Sequence, residues 1–426
     1  MQISFKNIGI IKEADINLDG LTVIAGLNDS GKSTIGKSIF SVIKSVSRYK
    51  EDLEEDKETN IKKLVDGIYF FLRRKISFSD DIRLKDMFYP INFYNDIVNH
   101  QVDAVYSRFE YIKYLDEKIK DNLAQRLEKL VELISQSDNK KDAIKRAFKK
   151  IFYSEFEYEI LNKHKKNQEL SSIKIKEFEN EILNIELTSF SDINLEIYDE
   201  LYFNDCTIIE TPLVLNYSDA IEQAKSYFEI KTKKDKLGFL GIANISFHTK
   251  DLDLKLKESS YNDEDELSKR ILEVIDGNIK YEPSKSEFMY TKENGLKYKI
   301  INTASGIKSF GVLQMLSQSG FLDERSLIVI DEPEVHLHPY WQLKYAEILV
   351  CLVQKDVNIL ITTHSPYILQ AIKFYSDKVS DVKGRTNIYL SEKLKNNEEV
   401  VITDKTDDLN SIFEKLSKPL QDIVWN

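Results

Sequence analysis

Apolar residues near the start of the chain fall mostly at alternate places. Ile3, Phe5 and Ile8 open the pattern, and Ile10, Ile11, Ala14, Ile16 and Leu18 carry it to a turn at Asp19-Gly20. Alternation with a period of two predicts half-buried strands. Leu21, Thr22, Val23, Ile24 and Ala25 follow without interruption, which predicts a short strand buried on both faces. The period then changes: Ile35, Ile39, Phe40, Ile43 and Val46 lie on one helical face, so a helix is expected over about residues 32–47.

From about residue 49 to 204 the character differs. Residues 50–63 are highly charged and poor in core positions. Leu115, Ile119, Leu123, Leu127, Leu130 and Ile134 predict a helix over 111–134. A polar break at 135–139 and a second helix over 141–163 would make a hairpin arm. Residues 173–198 alternate like strands. Further strands are expected near 206–210, 244–248, 278–281, 287–290, 297–301, 327–330 and 357–362, with a charged connection at 226–236. The last two are apolar and bounded by helical patterns, which implies a mostly parallel sheet covered on both faces. The expected class is therefore α/β: a mixed sheet with helices on both faces, an N-terminal antiparallel β-subdomain and an inserted, mainly helical arm. The expected limits are 1–48 with 205–426 for the body and 49–204 for the insert.

Three segments carry chemistry. Gly26-Leu27-Asn28-Asp29-Ser30-Gly31-Lys32-Ser33 fits the phosphate-binding loop G-x-x-x-x-G-K-[ST], between an expected strand and an expected helix. Such glycines let consecutive N–H groups point at phosphate oxygens, and the helix start adds its positive dipole end. Gly26, Asn28, Asp29, Ser30, Gly31, Lys32, Ser33 and Thr34 are the candidate nucleotide ligands. Lys32 would reach the β- and γ-phosphates, and Ser33 would offer a hydroxyl to Mg²⁺. Leu327-Ile328-Val329-Ile330-Asp331-Glu332 delivers two carboxylates at a strand end. There Asp331 would hold Mg²⁺ and Glu332 would polarise the attacking water. A third buried strand ends in Thr363-His364-Ser365-Pro366. A lone histidine there is commonly structural, but the order of the three segments makes His364 a candidate γ-phosphate sensor.

That order resembles the ABC-type P-loop ATPases of the OLD, RecF and SMC branch. Their signature segment lies shortly before the Asp-Glu strand, where this chain has Ser305-Gly306-Ile307-Lys308. Ser305 and Gly306 match the serine and first glycine of L-S-G-G-Q, while Ile307 and Lys308 depart from it. The resemblance implies an ABC-ATPase head in which Ser305 and Gly306 meet ATP held by a second copy. Glu332-Pro333-Glu334-Val335-His336-Leu337-His338 and Thr362-Thr363-His364-Ser365-Pro366 are similar to OLD-like ATPases of anti-phage defence, of the Septu or PARIS kind. That likeness places Glu334 to His338 at a dimer interface, a reading preferred over a metal site for His336 and His338. It also implies ATP and Mg²⁺, self-association, and a separate effector such as a nuclease or toxin. The alternatives are a DNA-repair ATPase of RecF or SMC type and a scaffold that does not hydrolyse ATP.

Composition narrows the setting. A net charge of −11 argues against a surface that grips nucleic acid throughout. Locally, residues 139–168 carry nine basic against four acidic side chains, which suits nucleic acid, an acidic partner or a solvated helix face. Asp404, Asp407 and Asp408 form an acidic group better read as a solvated loop than as a nuclease centre. Two cysteines, Cys206 and Cys351, are too few for a disulfide framework. With no apolar run of membrane-spanning length and no signal-peptide pattern, a cytoplasmic protein is expected.

Overall fold

The computed structural model describes residues 1–76, 82–113, 115–135, 140–163, 169–189, 192–223, 245–258, 266–394 and 399–425. The chain forms two compact units, Met1–Ser47 with Phe148–Asn426, and Arg48–Ala147.

The first unit is built on one mixed sheet of eleven strands. The alternating N-terminus gives β1 (Gln2–Ile8) and β2 (Ile11–Asn17), paired antiparallel, and the uninterrupted run gives β3 (Leu21–Gly26), buried throughout. Helix α1 (Lys32–Ser47) leaves the end of β3. After the second unit come β4 (Ser171–Glu177), β5 (Asn180–Leu187) and β6 (Ile193–Ile197), which extend the sheet from the free edge of β1. Here the insert is shorter than the expected 49–204: residues 171–197 alternate because they are strands of the body's sheet.

The parallel half of the sheet runs β7 (Asp205–Ile209), β11 (Ser326–Asp331), β12 (Asn358–Thr363), β3 and β13 (Thr386–Lys393). Strand β14 (Val400–Asp404) pairs antiparallel with β13 and parallel with β2. The residues after His364 thus belong to the same sheet. They supply the two strands that join the N-terminal hairpin to the parallel sheet. A separate three-stranded sheet holds β8 (Gly277–Glu282), β9 (Glu287–Lys292) and β10 (Lys297–Lys299).

Helices lie on both faces because the parallel strands have no polar face. On one side Leu21, Val23, Ile328, Ile330, Ile359 and Ile361 join a large core. That core includes side chains from α8 (Ser218–Gln223), α9 (Phe247–Lys257), α10 (Glu266–Ile275), α11 (Ser305–Gln318), α12 (Pro339–Val353), α13 (Pro366–Asp377), α14 (Ser380–Gly384) and α15 (Leu409–Trp425). On the other side α1 lies so close that a Cβ on Gly36 would come within 2.7 Å of Val329. Lys44 on α1 bonds Asp205 and Asp251, and Lys255 bonds the same two aspartates, which ties α1 to β7 and α9. The strand expected at 244–248 is, where described, the approach to and start of α9.

The second unit contains α2 (Tyr49–Lys75), α3 (Ile82–Phe88), α4 (Pro90–His100), α5 (Val102–Ile112) and α6 (Glu117–Ser135). Helix α7 (Lys140–Phe156) begins in it and ends in the first unit. Charge density hid α2 from the hydrophobic pattern, yet Val65, Ile68 and Leu72 bury one of its faces against Phe88, Phe93 and Leu127. Arg108 is buried there and satisfied: it donates to the carbonyls of Met87 and Ala104, pairs with Asp96 at 2.6 Å and stacks on Phe93. The expected break at 135–139 lies outside the described residues except for Ser135, which ends α6. Among the described residues no helix is long and apolar enough to cross a membrane.

Candidate functional site

Strand register gathers the chemistry at one edge. Ala25 on β3 stands beside Thr363 on β12, Thr362 beside Asp331 on β11, and Ile330 beside Ile209 on β7. All four strands are parallel, so their C-terminal ends emerge together, where α/β sheets bind ligands. The groups that follow them are the P-loop, Glu332, His364 and Glu210.

The P-loop is held from below. Gly31 has φ 77°, and a Cβ there would come within 3.0 Å of Ile11, so this turn against the β1–β2 hairpin needs glycine. Ser391 on β13 donates to the Ser30 carbonyl, Ser30 donates to the Leu27 carbonyl, and Lys393 pairs with Asp29. The buried Lys32 ammonium donates to the Leu27 carbonyl at 2.9 Å and lies 3.1 Å from Glu332 Oε1. Ser33 Oγ donates to Asp331 Oδ2 at 2.7 Å, and Thr362 Oγ1 donates to Asp331 Oδ1.

Glu332 sits in the left-handed region, φ 43° and ψ 57°, which a glutamate adopts only when its surroundings impose it. Its amide donates to Thr362, and its Oε2 lies 3.5 Å from His364 Nδ1. Next along the chain, Glu334 is buried in the 3-10 turn Pro333–His336. One of its oxygens accepts from Thr363 Oγ1 at 2.7 Å, His364 N at 2.6 Å and Ser365 N at 3.1 Å. Glu334 thus fastens the Asp-Glu strand end to the histidine loop. Its side chain is turned into the protein, where the resemblance had placed it at a dimer surface. Val335 beside it is 62% exposed. The two histidines of the H-x-H pair have separate surroundings: His336 meets Thr211, and His338 Nδ1 accepts from Tyr340 N at the start of α12.

Asp29 to Thr34 and Glu332 line one cavity of about 450 Å³. The expected ligands Gly26 and Asn28 are not among its lining. Gly26 ends β3, where a Cβ would meet the Ser391 carbonyl at 2.8 Å, and Asn28 is exposed. Ser305 and Gly306 also lie outside this cavity, at the start of α11, with Gly306 packed against Trp341. Lys308, at the position of the signature glutamine, turns inward to Asn216 at 2.8 Å.

Residues 1–369 match the family model described as AAA ATPase domain. The chain belongs to that family. A stretch of 49 residues is 45% identical to the Septu protein PtuA of Bacillus thuringiensis, and the match spans only 12% of either chain. The SMC head domain from Thermotoga maritima is similar at 11% identity and a TM-score of 0.40, over 95% of this chain and 97% of that one. An SmcHead bound to the C-winged helix domain of ScpA gives 10% identity and a TM-score of 0.41, over 95% and 96%.

In this AAA ATPase, Ser33 and Asp331 also answer whether Mg²⁺ fits. Their oxygens are the hard donors it prefers, and a site completed by substrate phosphates needs only one or two protein ligands. Among the described residues no group of three or more His, Cys, Asp or Glu forms a dedicated metal cage.

A second charged layer, which no sequence motif announces, lies beside the first. Glu210, at the end of β7, pairs with Lys37 of α1 at 2.9 Å and with His248 Nε2 at 3.0 Å, and His248 Nδ1 pairs with Glu155 at 2.6 Å. Burial opposes the His248 imidazolium, but bonds to Glu155 and Glu210 outweigh it and raise the pKa to about 9. The bond from His248, aided by Lys37, holds Glu210 down at about 2. No motif marks these residues, because their partners are 38 and 93 positions away. The basic segment also reads differently in place. Lys163 lines the cavity, Lys165 and Lys166 lie outside the described residues, and Lys141, Arg146, Lys149 and Lys150 each have partners within the chain.

Proposed function

We propose that this chain is an ATP-hydrolysing switch: two copies close on ATP, and the cycle governs a separate effector protein, a nuclease or a toxin, in anti-phage defence. The observation that carries the ATPase reading is the joining of Lys32 to Glu332 and of Ser33 to Asp331 at one sheet edge. Successive P-loop amides and Lys32 take the phosphates. Mg²⁺, held through Ser33 and Asp331, would neutralise charge on the phosphate oxygens. Lys32 exchanges Glu332 for a phosphate oxygen, which frees the Glu332 carboxylate to accept a proton from the attacking water. His364 lies within reach of Glu332 and is held by Glu334, so it senses whether that carboxylate has moved.

Support for the defence setting is the stretch shared with Septu protein PtuA. Support for two copies is the placement of Ser305 at a helix start away from its own cavity. The test is Glu332→Gln. It should bind ATP and hold a dimer by light scattering, while phosphate release falls by roughly a hundredfold or more. Hydrolysis at the parent rate would remove Glu332 as the base. For the effector, the chain is purified from cells together with the products of its neighbouring genes. Recovery of a nuclease or toxin only when Lys32 is intact is the expected result.

A further inference from the structure

We propose that the turn after α7, from Phe156 to Lys163, is the wall against which the nucleoside of the bound nucleotide packs. This rests on the nucleotide reading above and adds a subsite to it. The P-loop residues and Glu332 account for the phosphate end of the cavity. The rest of the lining is Gly9 and Ile10 from the β1–β2 turn with Phe156, Glu159, Leu161 and Lys163. In that second group only Lys163 carries a charge that phosphate would attract, and it is paired with Glu159 at 3.3 Å. The group's composition suits a nucleoside instead: Phe156, Ile10 and Leu161 give apolar surface for a flat base, and Glu159 and Lys163 give an acceptor and a donor for its edge or the ribose.

The wall is fixed at both ends. On the α7 side, Ser154 Oγ accepts from Phe247 N at 2.8 Å, and Glu155 accepts from His248 N at 3.0 Å, so two α7 side chains serve the amides at the start of α9. The chain then reverses through Glu157 and Tyr158, both left-handed at φ 45° and 77°. Two adjacent non-glycine residues hold that conformation only where the surroundings over-determine it. On the far side, Gly9 N donates to the Ile160 carbonyl at 2.6 Å, Ile8 and Leu161 form a β-bridge, and Asn162 N donates to the Asn7 carbonyl. Gly9 itself lies so close to α1 that a Cβ would stand 3.1 Å from Thr34. The segment is thus braced against β1 and α9 while Phe156 and Leu161 still line the cavity.

The experiment compares a nucleotide with its phosphates alone. The full chain is titrated calorimetrically with ADP and with pyrophosphate, each with Mg²⁺. The parent should bind ADP more tightly than pyrophosphate. Phe156→Ala should weaken ADP roughly tenfold, the scale of one lost base-stacking contact, and leave pyrophosphate unchanged. Lys163→Ala should narrow the same gap by a few-fold, and because Lys163 is an exposed side chain this variant decides the matter if Phe156→Ala melts early. Equal loss of both ligands, or ADP affinity unchanged in both variants, overturns the wall. A parent that binds pyrophosphate but gains nothing from the nucleoside also overturns it and leaves the P-loop reading standing. A parent that binds neither ligand removes the nucleotide reading itself.

Discussion

Ser33 Oγ donates to Asp331 Oδ2 across 298 positions of sequence. Strands β3, β12 and β11 lie side by side in parallel, so the residue after the P-loop lysine and the last residue of β11 reach the same point. Thr362 takes the other Asp331 oxygen, which leaves the carboxylate with one orientation.

Asp331→Asn keeps that shape and removes the charge. Under the Mg²⁺ assignment, ATP affinity in EDTA should be close to the parent's, while the gain on adding Mg²⁺ should shrink by roughly tenfold or more. Titration of ATP with and without Mg²⁺ reads this directly. An unchanged Mg²⁺ gain would show that Asp331 only braces Ser33.

Glu334 makes a different demand. Three donors, Thr363 Oγ1, His364 N and Ser365 N, converge on one of its oxygens in a buried place. Glu334→Ala strands them, and leaving buried donors unpaired costs about 1–3 kcal/mol each before relaxation. A clear drop in melting temperature is expected. Turnover should fall as well, because His364 loses the bond that sets its backbone. A variant that melts with the parent yet hydrolyses slowly would place Glu334 in the chemistry rather than under it.

The P-loop, Asp331, Glu332 and His364 were legible because each is announced locally, by a buried strand ending in a polar residue. Glu334 stands in the same run of letters, and the resemblance placed it at a dimer interface; its burial within its own chain is not legible, since the sequence does not say which way a side chain turns. Glu210, Lys37, His248 and Glu155 were illegible for another reason: their meaning is pairwise, and the pairs form only after β7, α1, α9 and α7 have packed. Strands β13 and β14 follow the last motif and are absent from the expected strands, because no local chemistry marks them. Only the register of β13 on β3 and of β14 on β2 makes them the seam of the sheet. Helix α2 was missed because charge outnumbers its single buried stripe.

The His248 layer gives a pH dependence. Its folded pKa is raised to about 9 from an ordinary 6.5, so the native state holds a proton that the unfolded chain releases earlier. The stabilisation is therefore complete below about pH 6.5 and is lost as pH rises through 9. The limiting slope is about 1.4 kcal/mol per pH unit for one proton. Glu210 acts at the other end: its stabilisation is present above its unfolded pKa near 4.5 and fades as pH falls toward 2. Denaturant titrations between pH 6 and 10 should show stability declining, and His248→Gln should flatten the decline while lowering stability at pH 6. A parent whose stability stays level from pH 6.5 to 9 would mean that the imidazole is neutral there.

Gly306 separates packing from contact in the signature helix. A Cβ at this position would lie 2.7 Å and 2.8 Å from two carbons of Trp341 and 3.3 Å from the His336 carbonyl. Gly306→Ala must push the start of α11 away from Trp341, and overpacking of this kind costs about 1–3 kcal/mol. Ser305→Arg instead places a long side chain at the helix start proposed to meet the second copy's nucleotide. If α11 closes on that nucleotide, both variants should still bind ATP as monomers and both should fail to form the ATP-dependent dimer in light scattering. Gly306→Ala alone should also melt earlier. Dimerisation lost in Gly306→Ala but retained in Ser305→Arg would reduce the segment to a packing role, and the surface that joins two copies would have to be sought around the exposed Val335 instead.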